Sequence, residues 1–123
     1  MATLIDAVLA KDVVLDAHGI KSMVNRIVDR EEFACPIPSE FPVKLGLIFS
    51  ATPDSVFAVS TEVRSHMGEP LWFDSGKLAT PVSGRGEFAL EIPVPVRDVG
   101  PCVISLRFDG QEVWSQRIFF ALS

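Results

Sequence analysis

Side chains able to do chemistry are few in this 123-residue chain, and they lie far apart. His18 and His66 are its two imidazoles, and Cys35 and Cys102 its two thiols. Nucleophilic catalysis requires a nucleophile, a base within hydrogen-bond reach and a group that orients the base. Each histidine falls in a tight-turn sequence, Asp16-Ala17-His18-Gly19 or His66-Met67-Gly68-Glu69-Pro70, where an exposed polar side chain needs no catalytic cause. Cys35 stands among Ala34, Pro36 and Ile37, with no positive charge to activate it. Cys102 falls on an inward-facing row and reads as a small buried hydrophobe. No G-x-S-x-G elbow occurs, and Gly84-Arg85-Gly86 is too short for a phosphate loop. The sequence assigns no catalytic residue.

Metal and cofactor sites fare similarly. Neither C-x-x-C nor H-E-x-x-H is present, and no EF-hand spacing appears. Asp16, Asp54, Asp74 and Asp109 fall in turns and could in principle hold calcium between loops, but aspartate also forms turns in its own right. No metal ligand and no cofactor-binding residue is assigned. Glu31, Glu32, Glu62 and Glu91 are the candidates for paired carboxylates. Strand alternation sends Glu62 and Glu91 outward, onto solvated sheet faces. Trp72 and Trp114 could form an exposed partner platform, or else complete the core and cap its edge. Together with Pro93 and Pro95 they are the candidate partner-binding residues.

The elements that must position these groups are short runs of alternating apolar and polar residues between Gly, Pro, Asp and Asn. Leu4–Leu15 and Ile20–Val28 read as a hairpin, although the first run is dense enough in apolar residues to look helical. The segment 29–41, with Pro36 and Pro38, is a connector that should cross over rather than pair centrally. Val43, Leu45, Leu47 and Phe49 give the clearest strand, and Phe57, Val59, Thr61 and Val63 repeat the period. A short strand near Leu71–Phe73 precedes a mobile loop over 75–86. Phe88, Leu90, Ile92, Val94 and Val96 form an inward row whose alternate positions, Pro93 and Pro95, suit an edge strand. Gly100-Pro101 turns the chain, and Cys102, Ile104, Leu106 and Phe108 face inward again. Asp109-Gly110 is a hairpin turn demanding positive φ, and the last strand spans 112–121. The sum is one all-β domain over 1–123, an antiparallel Ig-like β-sandwich of about 7–8 strands.

Composition narrows the function classes. Sixteen acidic against eleven basic residues give a net charge of −5, with no basic stripe to neutralise phosphates, so no nucleic-acid or membrane partner is expected. The opening Met1-Ala2-Thr3-Leu4-Ile5-Asp6 lacks the basic lead of a signal peptide, and no apolar run is long enough to span a bilayer. A cytoplasmic setting, with both cysteines reduced, is the expectation. Nine Phe and no Tyr point to a dry aromatic interior.

The order of landmarks resembles a family of short, functionally uncharacterised bacterial proteins expected to be Ig-like β-sandwiches. Three stretches carry the resemblance. They are Leu4-Ile5-Asp6-Ala7 turning at Gly19 into a strand that ends Asn25-Arg26-Ile27, the proline connector arriving at Phe41-Pro42, and Gly100-Pro101 followed by Phe108-Asp109-Gly110 and Phe119-Phe120. His18 and Ile20, flanking the turn glycine, depart from that family's polar turn. The resemblance implies the sandwich and no catalytic residue. The lack of an assembled catalytic set, together with two tryptophans, a proline-rich connector and long strand edges, leads to a non-enzymatic protein-interaction or assembly module of a bacterial cytoplasmic system, self-associating or bound to another protein. The alternatives are a sugar- or calcium-dependent binding sandwich, and a small enzyme with a site between the 29–41 and 75–86 connectors.

Overall fold

The computed structural model describes residues 1–16 and 18–123. Among them are nine strands and no helix: β1 Thr3–Asp16, β2 Gly19–Arg26, β3 Glu31–Cys35, β4 Ser39–Ser50, β5 Val56–Ser65, β6 Pro70–Ala79, β7 Arg85–Val96, β8 Gly100–Phe108 and β9 Gln111–Leu122. They form two sheets, ordered β2-β1-β4-β7 and β3-β9-β8-β5-β6, which close face to face as a β-sandwich.

The inward rows follow from alternation. Val43, Leu45, Leu47 and Phe49 from the four-stranded sheet meet Val63, Ile104, Leu106 and Ile118 from the other, all buried. Phe49, Phe57 and Phe108 stack edge to face, with centroids of Phe57 5.0 Å from each of the other two. Asp109 and Gly110 take φ of 50° and 81°, the paired positive values of a tight hairpin turn between β8 and β9. The Asp109 carboxylate also accepts from the Ala58 N–H at 3.0 Å, tying that turn to β5.

Several elements differ from the reading of the sequence. The segment 29–41 does cross between sheets, but it carries β3, which adds a ninth strand and pairs parallel to β9 from Glu31↔Ile118 to Cys35↔Leu122. Pro36 and Pro38 stop it after five residues. The expected loop over 75–86 is largely strand: β6 runs to Ala79, only residues 80–84 turn, and β7 begins at Arg85. Ser75, Gly76 and Lys77 are exposed at the sheet edge, so no apolar row betrays them. Asp74 consequently lies within β6 rather than in a turn, and Gly100 opens β8 rather than preceding it. In the expected β1–β2 turn, Ala17 lies outside the described residues, while the His18 N–H donates to the Asp16 carboxylate at 2.8 Å.

The β1–β2 hairpin does more than extend the sheet. Val8 pairs with Gly46 on β4. Leu15 is seven residues further along, which in a straight strand would be about 23 Å away at ~3.3 Å per residue. Yet a Cβ on Gly46 would lie 3.5 Å from Leu15 Cδ2 and 2.6 Å from Val13 Cγ1. The chain therefore bends near Lys11 and folds the hairpin back over the outer face of its own sheet. A second small core of Val8, Ala10 and Val13, with Leu15 and Ile20, is sealed beneath it. Part of the apolar density of Leu4–Leu15 has its cause here, since the middle of this strand, Val8 to Ala10, is buried on both faces.

Candidate binding surfaces

Three surfaces collect the chemically interesting side chains. The first is a groove on the outer face of the four-stranded sheet, a cleft of about 420 Å³ lined by Lys11, Pro42, Lys44, Trp72, Glu91 and Pro93, with Val43 and Ile92 beneath. Pro42 pairs with Pro93 across β4 and β7. Trp72 comes from the edge strand β6 of the opposite sheet, so the groove sits where the two sheets meet. Its charges are organised: Lys44 Nζ lies 3.0 Å from Asp12 and 3.8 Å from Glu91. The hydrogen bond and charge of Lys44 hold the Asp12 carboxyl below the usual carboxylate range, and Asp12 in turn raises Lys44. Lys11 Nζ stands 5.2 Å above the Phe41 ring, within cation–π range.

Of the four partner-binding candidates, Trp72 and Pro93 thus share this groove. Pro95 borders a different cleft at the end of the sandwich. Trp114 is half-buried against the core, opposite Leu106 on β8. The two tryptophans belong to different surfaces.

The second surface is that end cleft, about 90 Å³, lined by His66, Glu69, Arg97, Asp98, Cys102 and Phe120 among others. Arg97 pairs loosely with Glu69 at 3.7 Å. Cys102 is buried, and desolvation pushes its thiol up to about 12. It holds its proton at neutral pH and cannot act as a thiolate nucleophile. His18 and His66 are both exposed turn residues, as the sequence suggests. Cys35 is buried at the end of β3, and both thiols are free.

The third surface is the outer face of the five-stranded sheet, where the structure corrects the sequence most sharply. Glu62 points outward, as alternation requires, but it is 8% exposed rather than solvated. Arg64 reaches it through Nε, and through a second nitrogen at 3.2 Å, while Arg107 approaches to 3.7 Å. Arg107 comes from another strand, and nothing local to Glu62 in sequence announces it.

The connectors 29–41 and 75–86 do not assemble a joint site. Strands β3 and β6 stand at opposite edges of the five-stranded sheet. Residues 39–41 pair with 94–96, the far end of β7 from Arg85 and Gly86. Among the described residues, no group of three or more His, Cys, Asp or Glu is gathered as a metal could use, and no helix is long and apolar enough to cross a membrane.

The sheet edges differ in what they offer. Pro42 and Pro93 both lack an N–H, so their pairing must be a non-hydrogen-bonded one in which both nitrogens point away from the shared ladder. Pro95, two residues on, points the same way as Pro93. The free edge of β7 is therefore missing donors at both prolines, as expected of an edge that refuses pairing. Strand β6 runs beside β7 at the corner of the sandwich, and β3 is five residues long, followed by prolines. Strand β2 contains no proline, packs broadly only against β1, and is exposed from Lys21 to Arg26. Val24 is 53% exposed there, on the same face as Val14 of β1, and Met23, paired with Val13, is 38% exposed on the other face.

No protein-family model matches the chain, and a comparison with curated proteins returns no match. Among solved structures, the chain is similar to one described as "putative beta-galactosidase from bacteroides fragilis", with a TM-score of 0.47 and 9% identity. The likeness covers 66% of this chain and 14% of that one.

Proposed function

We propose that this β-sandwich is a non-catalytic assembly module that associates with a second copy of itself through the edge of β2. The observation that supports this reading is the contrast between edges. Prolines disarm β7, β6 opens on Pro70 and carries a single strongly exposed apolar side chain, Phe73, β3 is short, and β2 combines eight proline-free residues with exposed Met23 and Val24. An antiparallel strand meeting its own copy across a two-fold axis continues the sheet and satisfies the unpaired backbone groups of both partners. Val14 and Val24 then supply apolar contact on one face of the new ladder, and Met23 on the other. The buried, protonated thiol of Cys102 fits a role without nucleophilic chemistry, and two unpaired cysteines fit a reducing, cytoplasmic setting. Sedimentation across a hundredfold concentration range is the test. Wild type shifts from monomer to dimer, and Val24→Lys, which puts a charge on the exposed edge without touching the core, stays monomeric. A wild-type protein that remains monomeric at the highest concentration would refute the proposal.

A second reading rests on the groove beside Trp72. An indole face next to two prolines, with Lys11, Lys44 and Glu91 at the rim, suits a sugar ring that stacks on the apolar wall and hydrogen-bonds to the charged groups. Quenching of Trp72 fluorescence on titration with mono- and oligosaccharides, lost in Trp72→Ala, is the corresponding measurement. Unchanged emission with every sugar would remove this reading.

A further inference from the structure

We propose that the outer face of the five-stranded sheet carries an oxyanion-binding site built by Arg64, Arg107 and Arg117. These arginines, from β5, β8 and β9, surround a cleft of about 330 Å³ whose floor is Val103 and Ser105, with His66 and Glu112 at its margin. The chain as a whole carries −5, yet three guanidiniums line this cleft against a single lining carboxylate, Glu112, with Glu62 beneath Arg64 and Arg107 and Asp29 against the Arg117 backbone.

The arrangement is built rather than accidental. Glu62 is buried and anchors Arg64, which also donates to the Gly68 carbonyl at 2.7 Å. Arg64 is thereby fixed, and its charge offsets the one carboxylate at the base of the site. Arg107 touches that same carboxylate only at 3.7 Å, and its side chain keeps 35% exposure. Most of its fork remains open to a second acceptor. Arg117 has no carboxylate within salt-bridge distance among the described residues, and its backbone is held by Asp29 and Arg30. A guanidinium fork recognises planar carboxylates and phosphates through paired N–H···O bonds. Two half-free forks over one serine-floored hollow therefore fit a small carboxylate- or phosphate-bearing ligand. The buried hydroxyl-bearing Ser105 lies between them.

The experiment uses the intact chain, titrated with inorganic phosphate in one arm and succinate in the other, followed by amide NMR. Saturable shifts centred on Gly68, Val103 and Ser105 are expected for at least one probe, and the probe that saturates identifies the oxyanion. Arg107→Gln and Arg117→Gln should each weaken binding at least tenfold, while Lys77→Gln on β6 leaves it unchanged. Raising salt should weaken it too, because both forks stay partly in water. The variants remove no buried residue, and an unchanged amide spectrum away from the cleft verifies their fold. Shifts that do not saturate with either probe, or that are equal in wild type and the Arg107→Gln/Arg117→Gln double variant, would overturn the proposal. Because the arginine cleft and the β2 edge lie on different sheets, a monomeric protein that still binds phosphate separates this site from the assembly reading.

Discussion

Val13 rests on Gly46: a Cβ at position 46 would come within 2.6 Å of Val13 Cγ1. That contact records how the β1–β2 hairpin lies across the sheet from which it springs. Glycine is required because the strand of a second layer passes too close for any side chain. Gly46→Ala should destabilise the protein by ~1–3 kcal/mol through overpacking. Combining it with Val13→Ala should cost less than the sum of the two, because the smaller residue makes room. Urea denaturation of the four proteins in this cycle checks the contact. Simple additivity would show that the hairpin does not press on Gly46.

A buried hydrogen bond links the last strand to the end of the hairpin. Gln116 donates from Nε2 to the Ile27 carbonyl at 2.9 Å, and the Ile27 N–H donates to Leu9 at 2.8 Å. Gln116→Leu fills similar volume but leaves the Ile27 oxygen without a partner in the interior. The expected loss is ~1–3 kcal/mol. Ser115→Ala, next door on the exposed face, should change stability by less than ~0.5 kcal/mol. Equal urea midpoints for both variants would contradict this role for Gln116.

Alkaline pH should expose the cost of ionising Cys102. Burial raises its folded pKa from 9.0 to about 12. A thiol with a raised folded pKa contributes stability that is fully present below its unfolded pKa and lost as pH climbs toward the folded one. Above pH 9 the unfolded chain sheds this proton while the native one keeps it, so stability falls by up to ~1.4 kcal/mol per pH unit from this group. Cys102→Ala should flatten the decline between pH 9 and 12 relative to wild type. Parallel stability curves for the two proteins would show that the thiol is not protected by the fold.

Much of this architecture is legible in the residues. Alternation from Val43 to Phe49 and from Phe88 to Val96 gives strand, face and edge, because each side chain's surroundings follow from its own sheet. Asp109-Gly110 declares its hairpin through local backbone chemistry alone. What escapes is decided elsewhere in the chain. Strand β3 is two charged residues and three others ahead of a proline, and it becomes a strand because β9 lies beside it. Glu62 is buried beneath Arg64 from its own strand and Arg107 from the next one, and the Trp72 groove depends on β6 meeting β7 across the corner. The doubled burial of β1 left a trace in its apolar density, a pattern that sequence alone cannot divide between a helix, a two-sided strand and a folded-back hairpin.

The role of β2 as the assembling edge is tested most directly by hydrogen exchange of its own backbone amides, Ile20 to Arg26, in dilute and in concentrated solution. The outward-pointing N–H groups should exchange freely when the protein is dilute. They should become at least tenfold slower as it concentrates, while the edge of β7 around Glu91 does not change. Exchange in β2 that is identical at both concentrations would contradict the account.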